Sequence, residues 1–312
     1  MLNETRLPSL TAIRAFEAAA RLGSFAKAAQ ELDTTAASVS YHVRRLEQQI
    51  GLPLFLRQPH RVVLTDAAVL IAREATEAFA RLRASFARAR ETDEARLTLT
   101  ALPTFGTSWL TPRLGRFRAQ HADIALELEL SAAAQDLSEG RFDAAIRNGH
   151  GRWPGLRTTE LLPSLFMPLC APALKSAAAG IGDPRRPLAA PLLGRPDWWS
   201  LWYRARGYSD TAPPGSFGTQ LAEEHLDIAA AMAGHGIAIG SPILFGHEIA
   251  AGRLVPAHEF VASDGRAFWF AYPITRQNSR KITAFGEWLA AEATHERKAA
   301  LAYVQAAVTV QP

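Results

Sequence analysis

The chain has 312 residues, of which 48% are apolar and 21% charged, and its formal net charge is +4. That length suits about two domains, and the apolar content is that of a chain with real cores rather than a disordered one. There is no uninterrupted apolar run of about 18 residues, and MLNETRLPSL lacks the basic and apolar regions of a signal peptide. Neither a membrane span nor a secretory leader is expected. Cys170 is the single cysteine, which excludes an internal disulfide or a multi-cysteine zinc site and makes a reducing cytoplasm the expected compartment. The charge is uneven. Residues 1–90 hold 13 basic and 8 acidic residues, and the remainder holds 21 and 22. A basic N-terminal third points to a polyanionic partner.

Leu10, Ile13, Phe16 and Ala20 recur at helical spacing. Ser24 then suits the N-cap of a helix whose apolar face is Phe25, Ala28, Ala29 and Leu32. Asp33-Thr34-Thr35 supplies a turn and the next cap. A second helix follows, with Val39, Val43, Leu46 and Ile50 inward and Gly51 as its terminator. The pair Ala28-Ala29 is small enough for two short helices to cross steeply. Outward from the second helix stand Ser38, Ser40, Tyr41, His42, Arg44 and Arg45, a mix of hydroxyls, rings and guanidinium groups suited to groove and phosphate contact. Residues 54–56 and 62–64 read as two short strands. The turn Gln58-Pro59-His60, flanked by Arg57 and Arg61, makes them a basic wing.

The segment from RAFEAAARLGSFAKAAQEL through RRLE and GLPLFLR to VVLT resembles the DNA-binding domain of LysR-type transcriptional regulators. The resemblance implies a winged helix-turn-helix over 1–65 that binds a pseudo-palindromic operator in double-stranded DNA. The implied contact residues are Ser24, Thr35, Ala36, Ala37, Ser38, Ser40, Tyr41, His42, Arg44, Arg45, Arg57, His60 and Arg61. Two positions depart from the family pattern. Ala36 and Ala37 stand where a glutamine and a serine are usual, and Ala68 stands where a glycine is usual. An atypical operator, or base reading shifted to Tyr41, His42 and Arg45, is the consequence expected.

Asp66 is the expected cap of a long helix over 66–91. Ala68, Ile71, Ala75, Ala78, Leu82, Ser85 and Ala89 keep an alternating three-four spacing along it, flanked by Phe79 and Phe86, which suits helix-on-helix packing. Packing on its own domain is the alternative. The resemblance implies a linker that makes a homodimer or tetramer.

Beyond residue 95, strand and helix patterns alternate. By resemblance this is an effector-binding domain over 95–295. It is an α/β sensor of two periplasmic-binding-protein-like lobes, preceded by the all-helical winged helix-turn-helix and the linker helix. Lobe I is expected at about 95–165 and 267–295, lobe II at 166–266, and 296–312 as a tail. IRNGHGRWPGL and PDWWSLWYRARG resemble the subgroup around the glycine-cleavage operon activator and the β-lactamase regulator.

Ligands of such folds bind where strand ends meet helix N-termini. The candidate effector residues are Thr104, Phe105, Thr107, Ser108, Ser131, Arg147, Asn148 and Gly149. Backbone N–H groups at the helix start suit a carboxylate, and Arg147 is read either as its partner or as half of a structural salt bridge. Trp198, Trp199 and Trp202 are read as packing residues, and Glu223 and Glu224 as a solvated first turn. RNA polymerase is a further partner the resemblance allows.

No zinc-protease, nucleophile-elbow or phosphate-loop pattern occurs, and Gly234-His235-Gly236 reads as a helix end. The nine histidines show no ligand spacing, so neither a metal nor a cofactor is expected. A small-molecule binding protein, or an enzyme on the same lobes, would leave the basic helix and wing without a purpose.

Overall fold

The computed structural model describes residues 7–58, 61–208 and 221–310. The expected wing tip, with the DNA contact His60, lies outside them. Two compact units divide the chain, Met1–Glu91 and Thr92–Pro312.

The first unit contains α1 (Leu10–Leu22), α2 (Phe25–Glu31), α3 (Ala36–Ile50), β1 (Phe55–Gln58), β2 (Arg61–Leu64) and most of α4 (Asp66–Glu94). Gly51 ends α3 at φ 75°, a left-handed conformation that glycine adopts without strain. The inward face of α1 is only partly the expected one. Phe16 is buried and Ile13 and Ala20 pack beside it, but Leu10 is 66% exposed, and Ala12, Ala15 and Ala19 complete the packed face. Small side chains there let α1 lie against Ala28, Ala29, Val39 and Val43. Phe55 of β1 closes the cluster against the rings of Phe16 and Phe25, at 5.7 and 5.2 Å. β1 and β2 pair antiparallel, with Phe55 opposite Leu64.

The cap of α4 is Thr65 rather than Asp66. Its hydroxyl accepts the Ala68 N–H at 3.2 Å and donates to the Pro53 carbonyl, so one side chain ties the helix start to the strand entry. In the first half of α4, Ala68 and Ala75 are buried and the Thr76 hydroxyl donates to Glu17 of α1 at 3.0 Å. This half therefore packs on its own domain. From residue 80 to 90 every position is exposed, including Leu82 and Phe86.

In the second unit β3 (Arg96–Ala101) leads into a helical stretch. It begins as a wide π turn, Phe105–Leu110, tightens over Thr111–Arg113 and continues as α5 (Leu114–Gln120). There follow β4 (Ala125–Leu130), β5 (Ala144–Gly149), β6 (Leu156–Cys170), β7 (Leu192–Leu193), α6 (Pro196–Ala205), α7 (Glu224–Met232) and β8 (Ile237–Gly240). The last elements are α8 (Gly246–Ala250), β9 (Val255–Pro256), β10 (Ala262–Pro273), α9 (Arg280–Ala299), α10 (Leu301–Ala306) and β11 (Val308–Thr309).

Strand order is β4-β3-β5-β10-β6-β8-β7. β3 runs parallel to β4 and β5, as the alternating pattern requires, while β10 is antiparallel to both β5 and β6. The lobe boundaries expected at 165/166 and 266/267 fall inside β6 and beside a bulge in β10. These two strands pass through both lobes, paired across a register shift between Ser263 and Ala267.

Residues 296–310 are not a tail. α9 continues to Ala299, α10 follows, and β11 pairs parallel with β10 at Ala262 and Ser263. The main core gathers Phe105, Trp109, Phe117, Phe270, Phe285 and Leu289. A second core in lobe II is built on the tryptophans. Trp199 and Trp202 are buried and donate to the Leu193 and Phe260 carbonyls. Trp198 is half-buried beneath the Arg195 guanidinium at 3.9 Å.

Candidate nucleic-acid interface and effector site

The helix-turn-helix presents its outward face as the alternation of α3 dictates. Ser24 and Thr35 are first of all caps, accepting the Lys27 and Ser38 N–H groups at 3.3 and 3.2 Å. Thr35, Ala36, Ala37, Tyr41, Arg44 and Arg45 are exposed, while Ser38, Ser40 and His42 are half-buried. The Arg44 guanidinium leans back to the Ser40 hydroxyl at 3.2 Å. The rings of Tyr41 and His42 lie edge to face, 5.5 Å apart. No hydrogen bond engages the Arg45 side chain among the described residues, so its five donors face outward. Ser38 and His42 also line an open cavity of about 300 Å³ with Thr11 and Arg14, two residues of α1 that the sequence reading passed over. Arg57 and Arg61 sit on paired β1 and β2.

The expected effector residues separate into two groups. In β5, Ala144 and Ile146 belong to the main core and Ala145 to a small cluster with Leu137 and Phe142. Alternation therefore puts Asn148 on the main-core side and Arg147 and Gly149 on the other.

On the first side, Thr104 meets His225 of α7 across the lobes. Its hydroxyl lies 3.3 Å from the His225 N–H and 3.4 Å from Nδ1. Asn148 sits opposite Phe268, whose ring lies 5.1 Å from that of Phe105, the residue after Thr104. The Asn148 Nδ2 is buried without a partner among the described residues. Phe105 itself is fully buried, a core residue and not a lining one. Thr107 donates to the Pro103 carbonyl at 2.9 Å, and Ser108 is half-buried beside it. A Cβ at Gly106 would meet the Leu130 Cδ2 at 2.2 Å, so the end of that exposed side chain would have to move aside.

On the second side, Arg147 donates to the Ser131 carbonyl at 2.8 Å and to Thr100 Oγ1 at 2.9 Å. The salt-bridge reading does not hold, because no carboxylate pairs with Arg147 among the described residues. Burial pushes its guanidinium down from the ordinary value; a charge with little access to water and no counter-charge attracts an anion. The Gly149 carbonyl accepts from the Trp269 indole at 2.9 Å.

Glu224 overturns the expectation of a solvated turn. It is 8% exposed and accepts the Ser241 N–H at 2.7 Å. Burial holds its carboxyl at about 7, and burial holds that of Asp227, one turn on, at about 6. The sequence reading missed His225, Glu224 and Asp227 as site residues. Its one available signal was acids next to a histidine at a helix start, which reads equally well as solvent-facing.

Comparison with known proteins agrees with this geometry. Residues 10–69 match the bacterial regulatory helix-turn-helix proteins of the lysR family, and residues 90–294 match the LysR substrate binding domain. The glycine cleavage system transcriptional activator of Escherichia coli is 31% identical over 297 residues, spanning 94% of this chain and 96% of that one. The effector domain of the regulator AmpR from Pseudomonas aeruginosa superposes with a TM-score of 0.55 at 27% identity, covering 66% of this chain and 98% of that one. The full-length virulence activator AphB of Vibrio cholerae shares the fold, with a TM-score of 0.63 at 19% identity over 91% and 99% of the two chains. No helix among the described residues is long and apolar enough to cross a membrane. With the helix-turn-helix and the substrate binding domain of that family matched in order, the chain belongs to the LysR family of transcriptional regulators.

Proposed function

We propose that this regulator acts in the cytoplasm without catalysis, reading a pseudo-palindromic operator as a dimer joined through the exposed half of α4. Arg44, Arg57 and Arg61 hold phosphates, with the Ser24 hydroxyl free to donate to one. Ser38, Tyr41, His42 and Arg45 sample base edges. The effector is a small carboxylate-bearing molecule taken at the corner of Thr104, Asn148 and His225. Its carboxylate is drawn by the Asn148 Nδ2 and the Thr104 hydroxyl, while Arg147, on the opposite face of β5, holds the Ser131 carbonyl and Thr100. The observation that carries the reading is the Thr104–His225 contact. It is a polar bridge between lobes that a ligand can replace or tighten, and so a place where binding biases lobe position. The relatives' printed names, activators of transcription, support a contact with RNA polymerase.

The test is anisotropy of labelled DNA from the region upstream of the coding sequence, against scrambled DNA, across a salt series. Specific binding with a log–log slope of about −0.9 per phosphate neutralised is expected. Equal binding to both sequences at every salt concentration sinks the operator reading.

A further inference from the structure

Where α4 ends, the chain makes an arrangement that neither the operator nor the effector corner uses. Lys281, in the first turn of α9, is only 2% exposed. Its ammonium donates to the Asp93 and Arg96 carbonyls, each at 2.8 Å, and pairs with Asp143 at 3.0 Å. The last carbonyls of a helix have no partner within it, and Lys281 supplies one for α4. The reverse also holds. Ser279, the N-cap of α9, makes no side-chain capping bond. Instead, Glu94 of α4 reaches over and accepts the Lys281 N–H at 2.8 Å, placing a carboxylate at the helix N-terminus where it is favoured. Each helix thus caps the other.

Asp143, 3% exposed, ties this joint into the sheet. It accepts the Thr98 N–H of β3 at 2.8 Å and pairs with Arg276. It also directly precedes β5, whose far end carries Arg147 and Asn148.

We infer that Lys281, Glu94 and Asp143 are positioning residues through which the effector domain holds the end of the linker helix, so that a shift of β5 at the effector corner is passed through Asp143 and Lys281 to the end of α4. The inference rests on the reading that effector binding governs the DNA-binding domain. Its test needs neither effector nor operator, so the two can fail separately.

Spin labels are placed by Ala84→Cys on α4 and Ala291→Cys on α9, both exposed, in full-length protein spin-diluted into unlabelled chain. Dipolar spectroscopy then gives the distance distribution between them, and hydrogen exchange follows the amides of 88–94. Lys281→Met and Glu94→Ala should each broaden the distribution. Each should speed exchange at the end of α4 by about tenfold or more, the effect of losing a hydrogen bond to a charged group. Glu94→Gln, which keeps the acceptor, should restore the narrow distribution. If Lys281→Met does not fold, Glu94→Ala on its half-exposed side chain carries the test. Unchanged widths in the variants overturn the inference. So does faster exchange with an unchanged distance, which would make the joint a local cap and nothing more.

Discussion

Glu224→Gln should make the effector domain more stable above neutral pH. The substitution keeps the oxygen that accepts the Ser241 N–H and removes the ionisation. Burial raises the carboxyl from an ordinary 4.5 to about 7 in the folded protein. The folded state therefore holds a proton that the unfolded state has released throughout that interval. Stability is full below 4.5, falls as pH rises to about 7, and changes no further beyond it. Carried through, that rise is worth about 3 kcal/mol as an upper figure. Asp227, Glu223 and Arg195 are the charged neighbours, and Asp227 adds its own loss with rising pH, complete by about 6. The informative quantity is thus the difference between wild type and variant. All seven tryptophans lie beyond residue 91, so indole fluorescence during urea unfolding reports the effector domain alone. The two proteins should unfold together at pH 4.5, with the variant ahead by about 2–3 kcal/mol at pH 7.5. Parallel stability curves across that range would show that Glu224 is charged and satisfied in the fold, and the burial argument would be wrong.

Arg45→Ala should weaken binding to the upstream DNA by about 1–3 kcal/mol while leaving scrambled DNA unaffected; equal losses on both would reassign it to phosphate. Phe86→Asp places a charge on a side chain 68% exposed in one chain. Sedimentation should show dissociation without loss of the tryptophan signal, and an unchanged mass would place the subunit contact elsewhere. Asn148→Leu removes a buried donor that has no partner among the described residues. It should stabilise the effector-free domain by about 1 kcal/mol and abolish its response to an effector; destabilisation would mean that a partner exists in the folded state. Thr104→Val cuts both bonds to His225 and should shift the lobe arrangement seen by small-angle scattering, with an identical profile counting against the bridge.

Local signals carried much of this structure in plain view. Caps at Ser24 and Thr35, the terminator Gly51 and the Ala28-Ala29 crossing act within a few residues, so periodicity and spacing expose them. Legibility ended where packing chose among equals. On α1, Ile13, Phe16 and Ala20 pack as expected, but alanines rather than Leu10 complete the face because three helices must approach closely. Thr65 took the cap of α4 from Asp66 because its hydroxyl also had the Pro53 carbonyl to satisfy. The Thr104–His225 bridge joins residues 121 apart in sequence, and Glu224 meets the Ser241 N–H from a loop 17 residues further on. Arg147 was noticed by its charge, but its hold on Ser131 and Thr100 follows from strand order, which no local pattern contains.

Lobe II enters and leaves through β6 and β10, which lie side by side and antiparallel. Their neighbouring ends make residues 166–262 an insertion, closed at its base like a loop between two adjacent strands, where β11 returns to pair with Ala262 and Ser263. Such an insert can be exchanged with little disturbance to its host. A graft between Phe166 and Ala262 from a relative would change half of the effector corner, including His225, and keep the operator-reading helix, α4 and the Lys281 joint. The same topology separates the part of the corner that lobe II supplies from the helix-turn-helix at the other end of the chain.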